Sequence, residues 1–468
     1  MAGADRISEL HDSILTRILS YLTTKEAVRT RSLSKRWRNV WASVPVLDFD
    51  SADFWSHDIP SGRSEQIECQ DNFVKIIDAV LASRQVQQVD RFRLVWKYQV
   101  RNYPRHGHPL RRWIPYVVQQ LPRVLSLYLE PLYDRLEIPD LIFTCSSLEE
   151  MKLQFDCCWL GSPHPPLVTL PHLRKLYLGR FFISTNFMDK LLLGCPSLEE
   201  LELHACCLFI SQISCGNLKS LVLNGCYPTT EIEVSIPSLQ YLKVTVMSSQ
   251  KAGYIFKNMS SLVKASICLF AIHQSGMHIL NSEAKILTGL LGITTLDVVL
   301  YGLRAKDMLE HILKTCPYFG NLKFMHFESF DGSMAGCIDM LNRLIQHSPA
   351  LKELTFYRCQ DVADDETDLI RELRKLLLEY GIVELVERHQ GSTYGSLSEL
   401  EKLWRRRGGG VEGGVWWEDG EGDDGEASSA EEEEEGDEAI VSMWEEPWNK
   451  MKIWMRKKRT MNEIKENQ

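Results

Sequence analysis

Four stretches of the chain carry residue types and spacings that could do chemistry. In Leu33-Ser34-Lys35-Arg36-Trp37-Arg38-Asn39-Val40-Trp41, two tryptophans stand four apart among three basic residues, with Arg29 and Arg31 just upstream. Such residues can hold phosphates while a ring stacks on a base, or they can form a protein-binding surface with a basic rim. The stretch His204-Ala205-Cys206-Cys207 contains zinc-ligand types, and the pairs Glu149-Glu150 and Glu199-Glu200 contain the types used for acid–base work. Only the first survives inspection. Trp37, Val40 and Trp41 share one face of a helix, which turns Lys35 and Arg38 mainly to the other sides, so the protein-partner reading is preferred to the nucleic-acid one. The His-Cys fragment has no second ligand cluster at suitable spacing, and no Cys-x-x-Cys pair occurs. The acidic pairs recur on a strand repeat, where a solvated face is their expected role. There is no Gly-x-Ser-x-Gly elbow, phosphate-binding Gly-Lys-Ser/Thr loop, dinucleotide fingerprint or His-Glu-x-x-His, so no catalytic residue, metal or cofactor is expected.

Composition bounds the rest. The 468 residues are 44% hydrophobic and 25% charged, the balance of a globular chain long enough for a large core. No basic stretch followed by an apolar run opens the sequence, and no segment reaches about 20 apolar residues. An intracellular location, nucleus and/or cytoplasm, with no membrane partner, is expected. The net charge of −10 resides in the tail: from Gly408 onward there are 7 basic and 18 acidic residues, leaving 46 against 45 before it. A neutral body lacks the phosphate-neutralising charge of a general nucleic-acid binder. Thirteen cysteines, an odd number, are read as free thiols.

The elements that must position these residues follow from periodicity. Residues 1–48 read as three short helices. Ile14, Leu15, Ile18, Leu19 and Leu22 fall at helical spacing after Asp12 as N-cap; Thr23 and Glu26 form a capping box for a second helix through Leu33; Ser34 caps the third; and Pro45 ends it. So small a core often needs a partner. Residues 49–120 are a connecting segment with irregular first repeats. From 121 to 360 a repeat takes over in SLEEMKL, HLRKLYL, SLEELEL, NLKSLVL and SLQYLKV, led by Leu148, Leu173, Leu198, Leu218, Leu239 and then Leu262, with weaker copies at Val124, Ile293, Leu322 and Leu351. Spacings of 20 to 31 match or slightly exceed a leucine-rich repeat. Cys206, Cys226 and Cys359 take the inward Asn/Cys place of that repeat. Residues 361–407 supply a helical cap from Leu369, Ile370, Leu373, Leu376 and Leu377, stopped at Gly381. Residues 408–468 are a low-complexity tail expected to be disordered; its acidic run could attract basic partners and MKIWMRKKR could serve nuclear import. The fold class is therefore an α/β solenoid: an N-terminal three-helix unit, a leucine-rich-repeat horseshoe and an acidic tail.

These residues carry a resemblance. Asp5-Arg6-Ile7-Ser8, Ile18-Leu19-Ser20-Tyr21-Leu22, Leu33-Ser34-Lys35-Arg36-Trp37-Arg38 with Trp41, and Leu47-Asp48-Phe49-Asp50 resemble an F-box of the plant F-box/leucine-rich-repeat group. The Cys-Pro-x-Leu-Glu-x-Leu repeats resemble the same group, and residues 321–359, with Phe330-Asp331-Gly332-Ser333, look like a shortened FBD region. The resemblance implies a non-catalytic adaptor of a ubiquitin ligase, docked on a Skp-family protein and through it a cullin, with the repeats holding a protein substrate. By the same resemblance Leu10, Ile14, Leu15, Ile18, Leu19, Leu22, Val28, Leu33 and Trp37 make the Skp contact. The group usually has Leu-Pro-Asp where this chain has Leu10-His11-Asp12. A scaffold with weakened docking, and after it a small-molecule receptor, are the alternative functions.

Alternation along LxxLxL turns the intervening residues to the concave face. Tyr128, Lys152, Tyr177, Glu202, Val222, Lys243, Asp297, His326 and Thr355 are expected to form the central substrate-binding row. Glu150, Lys175, Glu200, His204, Asn224, Tyr241, Phe324 and Tyr357 flank it.

Overall fold

The fold is taken from a computed structural model. It describes residues 7 to 389 apart from 8, 55–62, 85–87, 100–108, 132–137, 156–164, 248–249, 251, 272–285, 303–304, 330–336 and 359–383. The helix expected at residues 365–381, Cys359, the Phe330-to-Ser333 motif and the tail lie outside the described residues. Residues 1–388 form one compact unit.

Three helical pieces open the chain: Asp12–Leu19, Thr24–Arg29 and Trp37–Val40, with 3-10 turns at Thr30–Ser32 and Trp41–Ser43. A parallel sheet of 13 strands follows, in strict sequence order: Val46–Asp50, Arg91–Gln99, Val124–Pro131, Glu150–Phe155, Lys175–Gly179, Glu200–His204, Ser220–Asn224, Tyr241–Met247, Lys264–Phe270, Thr295–Tyr301, Phe324–Ser329, Glu353–Arg358 and Glu384–His389. Strand order equal to chain order is what a solenoid produces, because each repeat can pair only with its neighbours. The inward residues, among them Leu125, Leu153, Leu178, Leu203, Leu223 and Val244, are fully buried and join one continuous core.

Repeat length selects what stands behind the sheet. Helices stand in three of the longer repeats, with leading residues 25 or 29 apart: Thr185–Gly194, Ala305–Leu313 and Cys337–Gln346. In the repeats of 20 and 21 residues short strands stand there instead, paired with strands from the 25- and 23-residue repeats on either side. Phe182–Ser184, Cys207–Phe209 and Tyr227–Pro228 pair as one small sheet, and Gln212–Ser214, Ile232–Ser235 and Tyr254–Lys257 as another. A ten-residue helix occupies about 15 Å plus its turns, which the shorter repeats cannot supply.

One expected boundary shifts. The sheet begins at Val46, inside the segment assigned to the helical unit, because Val46 to Asp50 pair in parallel with Arg91 to Val95. A boundary at residue 48 would cut that strand. Residues 49–120, read as a connecting segment with irregular first repeats, carry the helix Arg63–Ala82, the strand Arg91–Gln99, which joins the repeat sheet, and the helix Leu110–Gln119.

Candidate functional site

The helical unit divides its apolar residues between two jobs. Leu15, Leu19, Ala27, Trp37, Val40 and Val44 form a small buried core, with Leu10, Trp41 and Val46 packed on it. Ile14, Ile18 and Leu33 face outward at 47%, 45% and 66% exposure, and Ile7, Tyr21 and Leu22 are exposed as well. Helical geometry is the cause: Ile14 and Ile18 lie one turn apart on a face rotated about 100° from that of Leu15 and Leu19. Leu15, Leu19 and Trp37 are therefore corrected from docking contacts to core. The tryptophan pair that promised an interface instead holds the unit together. Trp41 packs on both this core and the long repeat core, as Val28 does on the latter. Ile7 and Tyr21 are exposed apolar residues that the sequence reading left out; their place outside the inward i, i+4 pattern was the available signal.

Local bonding fixes these helices. His11, not Asp12, is the N-cap of the first: its Nδ1 accepts the Ser13 backbone N–H at 3.3 Å. An imidazole nitrogen thus takes the orphan amide that Ser or Asp would usually satisfy. Asp12, one position later, is paired with Arg36 at 2.6 Å, and Arg36 also donates to the Leu10 carbonyl. The Thr23/Glu26 capping box is present in both directions. Ser34 caps nothing; the third helix begins at Trp37 with Arg36 at its N-cap and no side-chain bond there. Thr24 is buried, and its Oγ1 accepts the Asp48 backbone N–H at 2.7 Å. Lys25 reaches the Asp53 carbonyl. The helical unit is seated on the first strand and ends the sheet.

Register defines the concave rows. The central one runs Asp48, Arg93, Ser126, Lys152, Tyr177, Glu202, Val222, Lys243, Ser266, Asp297, His326, Thr355. Tyr128 stands one row over, opposite Gln154, because its strand starts two residues earlier relative to the motif than assumed. Ser126 takes its place, and Ser266 fills the position missed in the Leu262 repeat. Val222, Asp297 and Thr355 are buried, so the row is accessible chiefly at Lys152, Tyr177, Glu202, Lys243 and His326.

A bonded network organises the near half of this face. Gly179 has no side chain, and a Cβ there would lie 2.9 Å from Gln154 Cγ and 3.2 Å from the Tyr177 ring. Into that space turns Tyr177, whose hydroxyl donates to Gln154 Oε1 at 3.2 Å and whose ring lies 4.5 Å from the His204 ring. Lys152 Nζ sits 4.4 Å from the Tyr177 centroid, within cation–π range. His204 Nε2 is 3.2 Å from Glu202 Oε2, and its Nδ1 is 3.2 Å from Asn224 Nδ2. Thr245 donates to Asn224 Oδ1 at 2.8 Å. The donors are consistent in one direction: Thr245 to Asn224, Asn224 to His204 Nδ1, His204 Nε2–H to Glu202. The His204 bond, against the effect of burial, holds the Glu202 carboxyl below its usual range. Ser126, Glu150, Lys152, Lys175, Tyr177, Glu200 and Glu202 line a shallow pocket of about 210 Å³ here.

The far half is more closed, with Lys264, Phe324 and His326 its more accessible residues. Thr245, Ser266, Cys268, Val299 and Glu328 are buried. Burial pushes Glu328 up to about 7, and its Oε2 has no hydrogen-bond partner among the described residues. Burial also lowers Lys243 and, with Asp297 nearby, raises Tyr241 to about 12. Asp297 pairs with Lys264 at 2.7 Å. The His204-to-Cys207 stretch is structural, since Cys206 Sγ donates to Leu178 O at 3.3 Å and Cys226 Sγ to Leu203 O at 3.2 Å, the inward ladder bonds expected of the repeat.

A three-helix unit seated on the end of a parallel repeat sheet is the architecture of an F-box joined to leucine-rich repeats. The F-box domain model matches residues 7–49, and the model described as FBD-associated F-box protein At5g56370, LRR repeats, matches residues 110–254. The chain is 27% identical to the F-box/LRR-repeat protein At3g58930 of Arabidopsis thaliana, over 73% of this chain and 75% of that one. It is 28% identical to F-box/LRR-repeat protein 13 of the same plant, over 75% and 76%, and 26% identical to the F-box/FBD/LRR-repeat protein At1g78750, also over 75% and 76%. The chain thus carries a match to an F-box domain followed by a match to FBD-associated leucine-rich repeats, and these relatives are F-box/LRR-repeat proteins, the group its sequence resembles.

Proposed function

We propose that this chain is the substrate-recognition adaptor of a Skp–cullin–F-box ubiquitin ligase. The observation that carries the reading is the exposed apolar set Ile14, Ile18, Tyr21, Leu22 and Leu33 on a helical unit whose own core is already filled. Exposed apolar groups gathered on so small a unit, with Arg17, Arg29, Arg31, Lys35 and Arg38 exposed among them, suit burial against a protein partner. Ile14, Ile18, Leu22 and Leu33, with Leu10 and Val28 at the margin, make the Skp-family contact, and Ile7 and Tyr21 extend it. The cullin is reached through that adaptor, and the chain itself supplies no catalytic group.

The substrate side is the near half of the concave face. Lys152, Tyr177 and Glu202, with Lys243 at the inner edge, offer an aromatic ring and both charge signs, which suits a protein segment. The seating of Thr24, Val28 and Trp41 against the first strand and the repeat core gives the two surfaces a fixed relation, so a held substrate would keep a constant position relative to the ligase.

The test is binding of the full chain to a purified plant Skp-family adaptor, beside Ile18→Asp and His11→Pro. Tight binding that Ile18→Asp abolishes supports the adaptor. Binding seen only with His11→Pro favours the scaffold with weakened docking. In cells, replacing Tyr177, Glu202 and Lys243 together with Ala should remove substrate capture and leave adaptor binding intact; unchanged capture would move the substrate site elsewhere.

A further inference from the structure

The docking surface contains a feature that adaptor binding does not use. Arg29-Thr30-Arg31-Ser32-Leu33-Ser34 is the only place in the 468 residues where arginines stand both five and three positions before a serine or threonine. Kinases that select such sites hold the two guanidinium groups on carboxylates, and each guanidinium must be free to make that bidentate contact. Arg29 and Arg31 are exposed and form no ion pair among the described residues. Ser34 is exposed, lies in the turn between the 3-10 segment Thr30–Ser32 and the helix Trp37–Val40, and its hydroxyl has no hydrogen-bond partner among the described residues. Ser32 differs, being inside the 3-10 segment with its hydroxyl donating to Arg29 O at 2.9 Å. Ser34 is thus the residue that would need least rearrangement to enter a kinase cleft.

We propose that Ser34 is a phosphoacceptor for an arginine-directed protein kinase, and that its phosphate closes the docking face to the Skp-family adaptor. The second clause rests on the adaptor reading above; the first does not. In the transfer, Ser34 Oγ forms the new bond to the γ-phosphorus of ATP. The bond from that phosphorus to the β,γ-bridging oxygen breaks, ADP leaves, and the hydroxyl proton passes to the kinase's base. The product carries a charge of about −1.5 to −2 at neutral pH. It stands next to Leu33, the most exposed of the aliphatic docking candidates. An apolar contact cannot close over a dianion without removing its water, and Arg31, Lys35 and Arg38 would turn to the phosphate instead of the partner.

The full chain is incubated with ATP and the purified catalytic domain of a kinase that selects arginine at both positions, the phosphate is mapped by mass spectrometry, and adaptor affinity is measured before and after. Ser34→Ala and Arg31→Ala, both at exposed positions, are run in parallel with circular dichroism as the folding check. Phosphate on Ser34, at least a 10-fold slower rate in Arg31→Ala, and at least a 10-fold weaker adaptor Kd that Ser34→Ala escapes are expected. Phosphate confined to other residues, or a rate indifferent to Arg31, overturns the site. Phosphorylated Ser34 with an unchanged Kd overturns its role in docking. If the unmodified chain does not bind the adaptor, the ligase reading fails, and the mapping with the Arg31→Ala rate still decides the phosphoacceptor.

Discussion

The helical unit and the repeat sheet treat their outward residues in opposite ways. In the helical unit the core is six buried residues, and apolar side chains equal to them in size face outward without cover. In the sheet the core runs from Leu47 to Leu354, and the outward face is polar and largely bonded to itself, as in the run from Thr245 through Asn224 and His204 to Glu202. A surface of uncovered isoleucine and leucine gains free energy when anything of matching shape covers it, roughly 1.5 to 3 kcal/mol per side chain. A self-bonded polar face gains only what its few unshared groups supply. The first design suits one constant partner; the second lets recognition vary by changing a handful of residues on an unchanged frame.

The contrast can be broken at several points. Trp37→Ala should have the largest effect, unfolding or loosening the helical unit by about 3–5 kcal/mol because it empties a small core. Denaturant unfolding of the variant should show an early transition; a variant that stays folded and loses only adaptor affinity would put Trp37 back in the interface.

Glu328 comes next. Its carboxyl is raised toward 7 in the fold and ordinary in the unfolded chain, so between about pH 4.5 and 7 the folded state holds the extra proton. Stability should therefore be full below that window and fall as pH rises through it, by up to about 3 kcal/mol, then level off. Thermal unfolding at pH 5 and pH 8 should show a difference that Glu328→Gln reduces. An equal difference in both proteins would mean the carboxyl is paired.

Ile18→Asp tests the other side. It should leave unfolding near that of the natural chain while weakening adaptor binding by about 2 kcal/mol or more, some 30-fold. Loss of fold instead would show that Ile18 belongs to the core.

The smallest effect is expected at Gly225, which has a φ of +60° at the turn leaving its strand. Gly225→Ala should cost about 1 kcal/mol through backbone strain alone, with adaptor binding unaltered. Ala205 occupies the same turn one repeat earlier at a φ of +49°, so Ala205→Gly should stabilise by a similar or smaller amount. Opposite signs at the two positions would confirm a shared turn geometry.

Much of this molecule was legible in the chain. The LxxLxL spacing gave the inward leucines and the ladder cysteines, since alternation on a strand depends only on local backbone geometry. The Thr23/Glu26 capping box was readable for the same reason, being a bond between residues three apart. His11 shows the limit: residue type favoured Asp12 as the cap, but the long-range pair between Asp12 and Arg36, 24 positions away, left the capping role to the imidazole.

What the sequence determined by itself is everything set by period and near neighbours: an F-box-like helical unit, a repeat sheet, and which residues of each strand face inward. Tertiary structure alone decided which apolar residues of the helices remain uncovered, that Trp37 is core and Trp41 joins two cores, that the sheet starts at Val46, and that Ser266, Asp297 and Glu328 on the far strands are buried while Tyr177 stays partly exposed above Gly179. Those outcomes depend on pairing register and on contacts between residues far apart in the chain. A local pattern fixes the direction of a side chain; what it meets there is set by the rest of the fold.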